Sequence, residues 1–164
     1  YAGSRTRWVT VGDDNFGFAA WVVDHYDELL TLGPGRHFGE WWGRGIQRNY
    51  GLEDRRLSLF NVARWCLHDA VAEIVPSNDP HAPTKFQDRL PPCVGLVPLL
   101  FRGGFRSEAV DTALFNLHLT GSRAAPGFRK PEGVVCYHVA GNVGFKKTLE
   151  NDGAPKGQVL RSST

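Results

Sequence analysis

The sequence contains no methionine, only three cysteines and no long apolar run. Cys66, Cys93 and Cys136 are far apart and form no CxxC pair, so neither a disulfide framework nor a zinc ribbon is expected. There is no stretch of about 18 consecutive apolar residues and no signal-peptide pattern, which argues against a membrane span and against secretion. The expected class is a cytoplasmic protein with reduced thiols.

An excess of charge of one sign is also missing. The 19 basic and 17 acidic residues are mixed along the chain and give a formal net charge of +2, which excludes a basic nucleic-acid-binding tail. Any nucleic-acid contact must therefore come from a local patch. With 164 residues, 41% of them hydrophobic, the chain has the length and apolar content of one ordinary domain.

The first half of the chain predicts strands around one helix. Residues 1–10 alternate loosely between polar and apolar side chains and resemble the inside of a strand pair. Residues 16–32 carry apolar side chains at helical spacing, and Gly33 ends that pattern. Two short aromatic or β-branched runs, 37–42 and 57–62, predict strands on either side of a glycine-containing polar loop.

The second half predicts a loop, a helix and a hairpin. Residues 76–92 are rich in Pro, Asn, Asp and His and predict a surface loop, after which 94–101 predict a buried strand. Ser107 is a candidate cap for a helix that ends at Gly121. The runs 133–139 and 143–149 predict a hairpin, and the whole pattern favours an α+β domain with antiparallel sheets.

The segment HFGEWWGRGIQR is the most unusual part of the sequence. Alternation along a strand places Glu40 and Trp42 on one face and Trp41 on the other. A carboxylate there can accept hydrogen bonds from a ribose, and neighbouring glycines would let a ligand approach the backbone. The alternative is a strand-end glutamate paired with a nearby arginine.

The predicted hairpin carries a second group of charged residues. Glu132 precedes its first strand, and Lys146 and Lys147 lie on its second strand. A carboxylate that holds a metal ion and a lysine that neutralises a phosphate suit a triphosphate site. The alternative is a cross-strand surface ion pair.

Other candidate signals are weaker. Phe60 can stack on a purine, although an aromatic residue at such a position is more often part of the core. The pairs Cys66/His68 and Cys136/His138 each supply only two metal ligands, so a structural zinc site is not expected there. The GxxxxGK[ST] and GxGxxG phosphate-binding patterns are absent.

Taken in chain order, GEWWG, LSLFNV, PEGVVCYH and FKKTLENDGAPKG resemble motifs III, IIIa, IV and V of the RNA ligase 2 branch of the covalent nucleotidyltransferases. The resemblance runs from SRTR near the start to PKG near the end. It implies an α+β adenylation domain with antiparallel sheets flanking an ATP cleft, similar in outline to the ATP-grasp arrangement. Members of that family join RNA 3′-hydroxyl and 5′-phosphate ends through lysyl-AMP and RNA-adenylate intermediates, using ATP and Mg²⁺ or Mn²⁺.

The resemblance also implies roles for individual residues. Glu40 matches the glutamate that contacts the ribose, and Phe60 matches the aromatic residue that stacks on adenine. Glu132 matches the glutamate near the metal ion and the phosphates. Lys146 matches the first motif V lysine, which touches the α-phosphate.

Two positions match the family less closely. Arg5 resembles the arginine that follows the nucleophile motif, and Arg7 is an equally good candidate. The usual place of the second motif V lysine holds Thr148. Lys147 is a possible substitute, but adjacent strand residues point to opposite faces, so it should not share the site of Lys146.

The nucleophile motif itself, KxDG or KxHG, should precede SRTR, yet no lysine occurs there. Lys85 is the first lysine of the chain and falls in the Pro-rich loop, so it cannot be the match. Because the sequence begins at Tyr1 and has no methionine, we expect residues 1–164 to be a partial adenylation domain, inactive alone. The complete protein would carry the nucleophile upstream, with or without an RNA-binding region beyond Thr164.

Three other functions stay open at this stage: a DNA ligase, a capping-type guanylyltransferase, and a nucleotide- or RNA-binding module that has lost catalysis. The tryptophan-rich GEWWG and the LENDGAPKG tail favour the RNA ligase branch, and the joint presence of Glu40, Glu132 and Lys146 argues against a binding module. The expected partners are ATP and RNA with 5′-phosphate and 3′-hydroxyl ends. A monomer without membrane contact is expected, of cellular or phage origin.

Overall fold

The computed structural model describes residues 1–14, 16–60, 65 and 90–150, which form an α+β structure with small sheets. Several predictions lie outside these residues, namely those for Cys66, His68, Lys85, most of the 76–92 loop and the tail after Glu150. None of the helices described is long and apolar enough to span a lipid bilayer. The chain divides into two compact units, Tyr1–Leu99 with Arg123–Pro126 and Leu100–Ser122 with Gly127–Thr164.

The first unit begins with a small hairpin. Strands β1 (Ala2–Gly3) and β2 (Trp8–Val9) pair antiparallel, and between them the Ser4 N–H donates to the Arg7 carbonyl at 2.8 Å. The strand pair predicted for residues 1–10 is therefore confirmed, but each strand is only two residues long.

The helix predicted over 16–32 is divided into α1 (Phe18–Asp24) and α2 (Tyr26–Leu30). The carboxylate of Asp14 accepts the first free N–H groups of α1, at 2.7 Å from Ala19 N and 3.0 Å from Ala20 N. His25 breaks the helix because its backbone, with φ −107° and ψ 24°, leaves the helical region. The apolar spacing continues across this break, so the pattern in the sequence does not reveal it.

A three-stranded sheet follows, formed by β3 (Gly39–Gly43), β4 (Arg55–Leu59) and β5 (Val94–Leu96) in the order β3-β4-β5. Strand β3 runs antiparallel to β4, as predicted, whereas β4 and β5 are parallel, with Leu57 opposite Val94. The sheet is therefore mixed and not purely antiparallel. One face of this sheet and the helices α1 and α2 enclose a core cluster of the unit. Its buried residues are Leu32, Leu57, Leu59, Trp65 and Val94.

The buried strand predicted over 94–101 is much shorter than expected. After β5 the chain leaves the sheet, and the apolar side chains that follow are about two-fifths exposed; they are Val97 (41%), Leu99 (46%), Leu100 (39%) and Phe101 (43%). An apolar run does not by itself distinguish a buried strand from an exposed segment.

The second unit contains one long helix, α3 (Ser107–Thr120). Its limits agree with the prediction, but Ser107 is the first helical residue and not the cap, since Arg106 occupies the cap position without a side-chain hydrogen bond. The helix ends at Gly121, where φ is +86° and an added Cβ would lie 2.5 Å from the Phe128 carbonyl oxygen. Only glycine fits there.

The predicted hairpin is confirmed as β6 (Gly133–His138) and β7 (Val143–Thr148), which pair antiparallel. Asn142, with φ +47°, helps to form the turn between them. One face of the hairpin packs on α3 through the buried side chains Leu114, Leu117 and Val134.

Candidate functional site

Strand β3 places Glu40 at the surface of the first unit. Glu40 lies opposite Ser58 in the register with β4 and is exposed. On the same face, Trp42 is buried, and its indole Nε1 donates a hydrogen bond to the Ser58 hydroxyl at 2.9 Å. Trp41 faces the other way and packs against the core. The predicted alternation of these three side chains is therefore confirmed.

The glycines on either side of Glu40 are required by the packing of the sheet. A Cβ on Gly39 would lie 2.7 Å from Leu57 Cδ1 and 2.9 Å from the Ser58 carbonyl oxygen. Gly43 has φ +112°, and a Cβ there would lie 2.4 Å from the Asp54 carbonyl oxygen. Strand β4 fills the space where a side chain would lie, so packing alone accounts for glycine at these two positions.

Phe60 directly follows β4 and does not belong to the core. Its side chain is 43% exposed, while its backbone N–H donates to the Phe38 carbonyl at 2.9 Å. The backbone is therefore anchored to the chain just before β3, and the ring remains accessible. An anchored and accessible ring is the arrangement that stacking on a base requires.

The two candidate arginines differ in their surroundings. Arg7 forms a two-point ion pair with Asp13, in which Nη1 bonds Oδ2 and Nη2 lies 3.1 Å from Oδ1. Arg5 lies in the same exposed turn between β1 and β2. Because Arg7 already satisfies a carboxylate, Arg5 is the better candidate for an anionic ligand.

Glu132 and Lys146 meet in the second unit. Lys146 Nζ lies 2.6 Å from Glu132 Oε1, and the two side chains are 51% and 38% exposed. The Glu132 backbone is also fixed, because its carbonyl accepts the Leu149 N–H at 2.9 Å. An ion pair this exposed stabilises a fold by only about 0–1 kcal/mol, so it can be opened at little cost.

Lys147 faces the opposite side of the hairpin. Its Nζ donates to Asp111 Oδ1 of helix α3 at 2.8 Å. It sits opposite Val134, whose side chain is buried, whereas Lys146 sits opposite Val135, which is 70% exposed. The prediction that the adjacent lysines do not share one site is therefore confirmed.

One group of side chains was not predicted. His25, Glu28 and Cys93 each offer a ligand atom, and these atoms all lie within 4.8 Å of one another in the first unit. The spacing of His25 and Glu28 is a local signal, because residues three apart face each other on a helix. Cys93 is distant in sequence, and no local pattern could have connected it to them.

The same group perturbs two ionisable side chains. A hydrogen bond from His25 holds the pKa of the Glu28 carboxyl below its ordinary value. Burial, followed by the negative charge of Glu28, raises the pKa of the Cys93 thiol to about 11. Cys93 is therefore a neutral thiol near pH 7, and it is not activated as a nucleophile.

Each unit has an open groove, and neither groove contains the predicted residues. The groove of the first unit, of about 550 Å³, is lined by Gly17, Ala20, Trp21, Asp24, Trp41, Arg44, Glu53, Asp54 and Arg55. The groove of the second unit, of about 580 Å³, is lined by residues of α3 and by the segment that precedes it, including Phe101 and Arg106. Glu40, Phe60, Glu132 and Lys146 lie outside both.

The candidate residues are divided between the two units. Arg5, Arg7, Glu40 and Phe60 belong to the first unit, and Glu132 and Lys146 belong to the second. Comparisons of the chain with protein-family models, with curated proteins and with solved structures gave no match. The functional argument therefore rests on these residues and on their chemistry.

Proposed function

We propose that the chain is part of the adenylation domain of an ATP-dependent RNA ligase, which joins RNA 3′-hydroxyl and 5′-phosphate ends. The observation that supports this proposal most is the arrangement of the β6–β7 hairpin. Glu132 and Lys146 face each other at 2.6 Å on its exposed side, while Lys147 is paired with Asp111 on the other side. The motif resemblance assigns phosphate chemistry to Glu132 and Lys146, and both side chains are accessible, at 38% and 51% exposed.

The chemistry of this pair suits an activated phosphate. The ammonium of Lys146 can neutralise the charge that builds up on phosphate oxygens during attack. Glu132 offers an exposed carboxylate, and Mg²⁺ is commonly bound by one or two carboxylates together with phosphate oxygens and waters. The Glu132 carboxylate therefore suits Mg²⁺. When bound, this ion would withdraw negative charge from the phosphate.

The first unit supplies groups of another kind. Glu40 presents a carboxylate that can accept hydrogen bonds from ribose hydroxyls, and Phe60 presents an accessible ring that can stack on adenine. Trp42 and Ser58 are buried beside Glu40 and fix the strand that carries it. The proposal thus assigns nucleoside recognition to Glu40 and Phe60.

In the final step of ligation, the RNA 3′-hydroxyl oxygen attacks the 5′-phosphate of the adenylated RNA. A bond forms between that oxygen and phosphorus, the bond from phosphorus to the AMP oxygen breaks, AMP leaves, and the 3′-hydroxyl proton passes to solvent. The nucleophilic lysine plays no part in this step, because the phosphate is already activated. The inactivity expected of residues 1–164 alone concerns the formation of lysyl-AMP, so the other residues of this chain can be tested in the sealing step.

The test is sealing of a preformed 5′-adenylated RNA to an RNA 3′-hydroxyl end on a complementary strand, with Mg²⁺ present and ATP absent. We expect joined RNA and one released AMP per join with the chain as it stands, and loss of joining in the Glu132→Ala variant. Lys147→Ala, one residue from the proposed site, is the matched control and should join at the normal rate.

A DNA end with the same adenylate, offered in parallel, distinguishes an RNA ligase from a DNA ligase. Equal sealing of both ends would contradict RNA specificity. The proposal fails if neither adenylated end is joined and if an N-terminally extended protein that contains a KxDG or KxHG motif forms no alkali-stable, acid-labile protein-bound AMP with labelled ATP.

A further inference from the structure

The group formed by His25, Glu28 and Cys93 has no part in the proposed ligase chemistry, and it contains three different metal-binding side chains. The imidazole Nδ1 of His25 lies 2.8 Å from Glu28 Oε1. One ligand atom from each of His25, Glu28 and Cys93 lies within 4.8 Å of the other two. We propose that His25, Glu28 and Cys93 bind a zinc(II) ion.

The fold brings these three residues together from two distant segments. His25 is the break between α1 and α2, and Glu28 follows one turn later in α2. Cys93 directly precedes β5, and its partly buried side chain packs against the core of the first unit. All three residues belong to that unit, so the site is complete within one compact body.

The helix break orients the histidine. The ring of His25 lies against that of Trp21, with centroids 4.8 Å apart, and its backbone N–H donates to the Trp21 carbonyl at 3.0 Å. Both contacts restrict the ring and direct Nδ1 toward Glu28. A metal-binding imidazole needs this kind of orientation by its neighbours.

The donor set determines the kind of metal. When zinc binds, the Cys93 thiol releases its proton to solvent. The resulting thiolate, one imidazole and one carboxylate form a mixed sulfur, nitrogen and oxygen set, which suits zinc and excludes magnesium, since magnesium binds almost only oxygen. Zinc distances of about 2.0–2.3 Å place tetrahedral ligand atoms about 3.5 Å apart. Here the ligand atoms lie within 4.8 Å of one another, and His25 Nδ1 lies 2.8 Å from Glu28 Oε1, so side-chain rotation would bring the three groups to that spacing.

The exposure of the group indicates an open coordination position. The side chains of His25 and Glu28 are 32% and 41% exposed, so water can reach an ion held between them. Three protein ligands with a water in the fourth position is the pattern of an accessible zinc site. The ion would also connect the α1–α2 junction to the start of β5.

In the first experiment, the whole chain is treated with a chelator to remove metal ions. Zinc chloride is then titrated into it, and calorimetry measures the binding. We expect one equivalent of zinc to bind, and cobalt(II) substituted for it to show the near-ultraviolet absorption of a thiolate–cobalt bond. Cys93→Ser should abolish this absorption and weaken zinc binding by at least about 100-fold, more than is typical for the loss of a supporting residue.

The matched controls are Cys136→Ser and His138→Gln, which remove the cysteine–histidine pair of strand β6, together with Cys66→Ser. All three should bind zinc and give the cobalt absorption as the unaltered chain does. His25→Gln and Glu28→Gln should retain the thiolate absorption but weaken zinc binding, and they decide the question if Cys93→Ser fails to fold. The proposal is overturned if less than one equivalent binds at micromolar zinc, or if the absorption survives in Cys93→Ser.

Discussion

The two units hold their candidate residues in different ways. In the first unit, β4 is buried along most of its length, and Leu59 is only 1% exposed. In the second unit, β6 and β7 cover α3 with one face and leave the other open, where Val135 is 70% and Tyr137 38% exposed. The packed sheet fixes Glu40 on its edge strand β3 and Phe60 just after the end of its central strand β4. The open hairpin face leaves Glu132 and Lys146 accessible to a charged ligand.

Because of this difference, we expect side chains of the two regions to contribute differently to stability and to chemistry. Side chains in the packed sheet should contribute mainly to stability, because their removal leaves a cavity or an unpaired polar group. Charged side chains on the open face should contribute little to stability and much to the chemistry. Each of the following predictions tests one side of this distinction.

The largest effect is expected at Lys146. Lys146→Ala should slow the sealing of adenylated RNA by about 100–1,000-fold, because it removes a charge from the developing phosphate transition state. The melting temperature should stay nearly the same, since the pair with Glu132 is exposed. Single-turnover kinetics measure the first quantity and calorimetry the second. Normal sealing by this variant would show that the open face is not a phosphate site.

The opposite behaviour is expected at Leu59. Leu59→Ala should lower the free energy of unfolding by about 3 kcal/mol, since it empties a fully buried position. All five tryptophans of the sequence precede residue 66, so tryptophan fluorescence during urea unfolding reports on the first unit. Val135→Ala, on the open face of the hairpin, should change stability by less than about 0.5 kcal/mol. Equal losses of unfolding free energy in the two variants would contradict the proposed difference between the packed sheet and the open hairpin face.

A smaller effect is expected at Phe60, which is anchored to the packed sheet of the first unit but has an exposed ring. Because its ring is 43% exposed, Phe60→Ala should hardly alter stability. It should weaken the binding of AMP by about 10–100-fold, the usual cost of losing an aromatic ring that stacks on a base. Phe60→Tyr keeps the ring and should bind normally. Calorimetric titration with AMP makes the comparison, and unchanged affinity in the alanine variant would exclude stacking at this residue.

Much of this arrangement could be predicted from local patterns in the sequence. The limits of α3 follow from its apolar spacing and from Gly121, and the β6–β7 hairpin follows from its turn residues. The opposite orientations of Lys146 and Lys147 follow from the alternation of a strand alone. These features depend on residues close to one another in the chain.

Features that depend on distant residues could not be predicted in this way. The parallel pairing of β4 with β5 joins Leu57 to Val94, and no local pattern encodes the direction of that pairing. The meeting of Cys93 with His25 and Glu28 is equally remote in sequence. The break at His25 was missed for another reason, since the apolar residues keep their helical spacing on both sides of it.

The smallest effect is expected for the ion pair between Lys147 and Asp111, which completes the comparison of the adjacent lysines. A double-mutant cycle with Lys147→Ala and Asp111→Ala should give a coupling energy of about 0.2–1 kcal/mol, because both side chains are largely exposed. It should fall with added salt, which screens such pairs. Sealing activity should be unchanged in both variants. A coupling well above this range, or a loss of sealing, would mean that Lys147 shares the role assigned to Lys146.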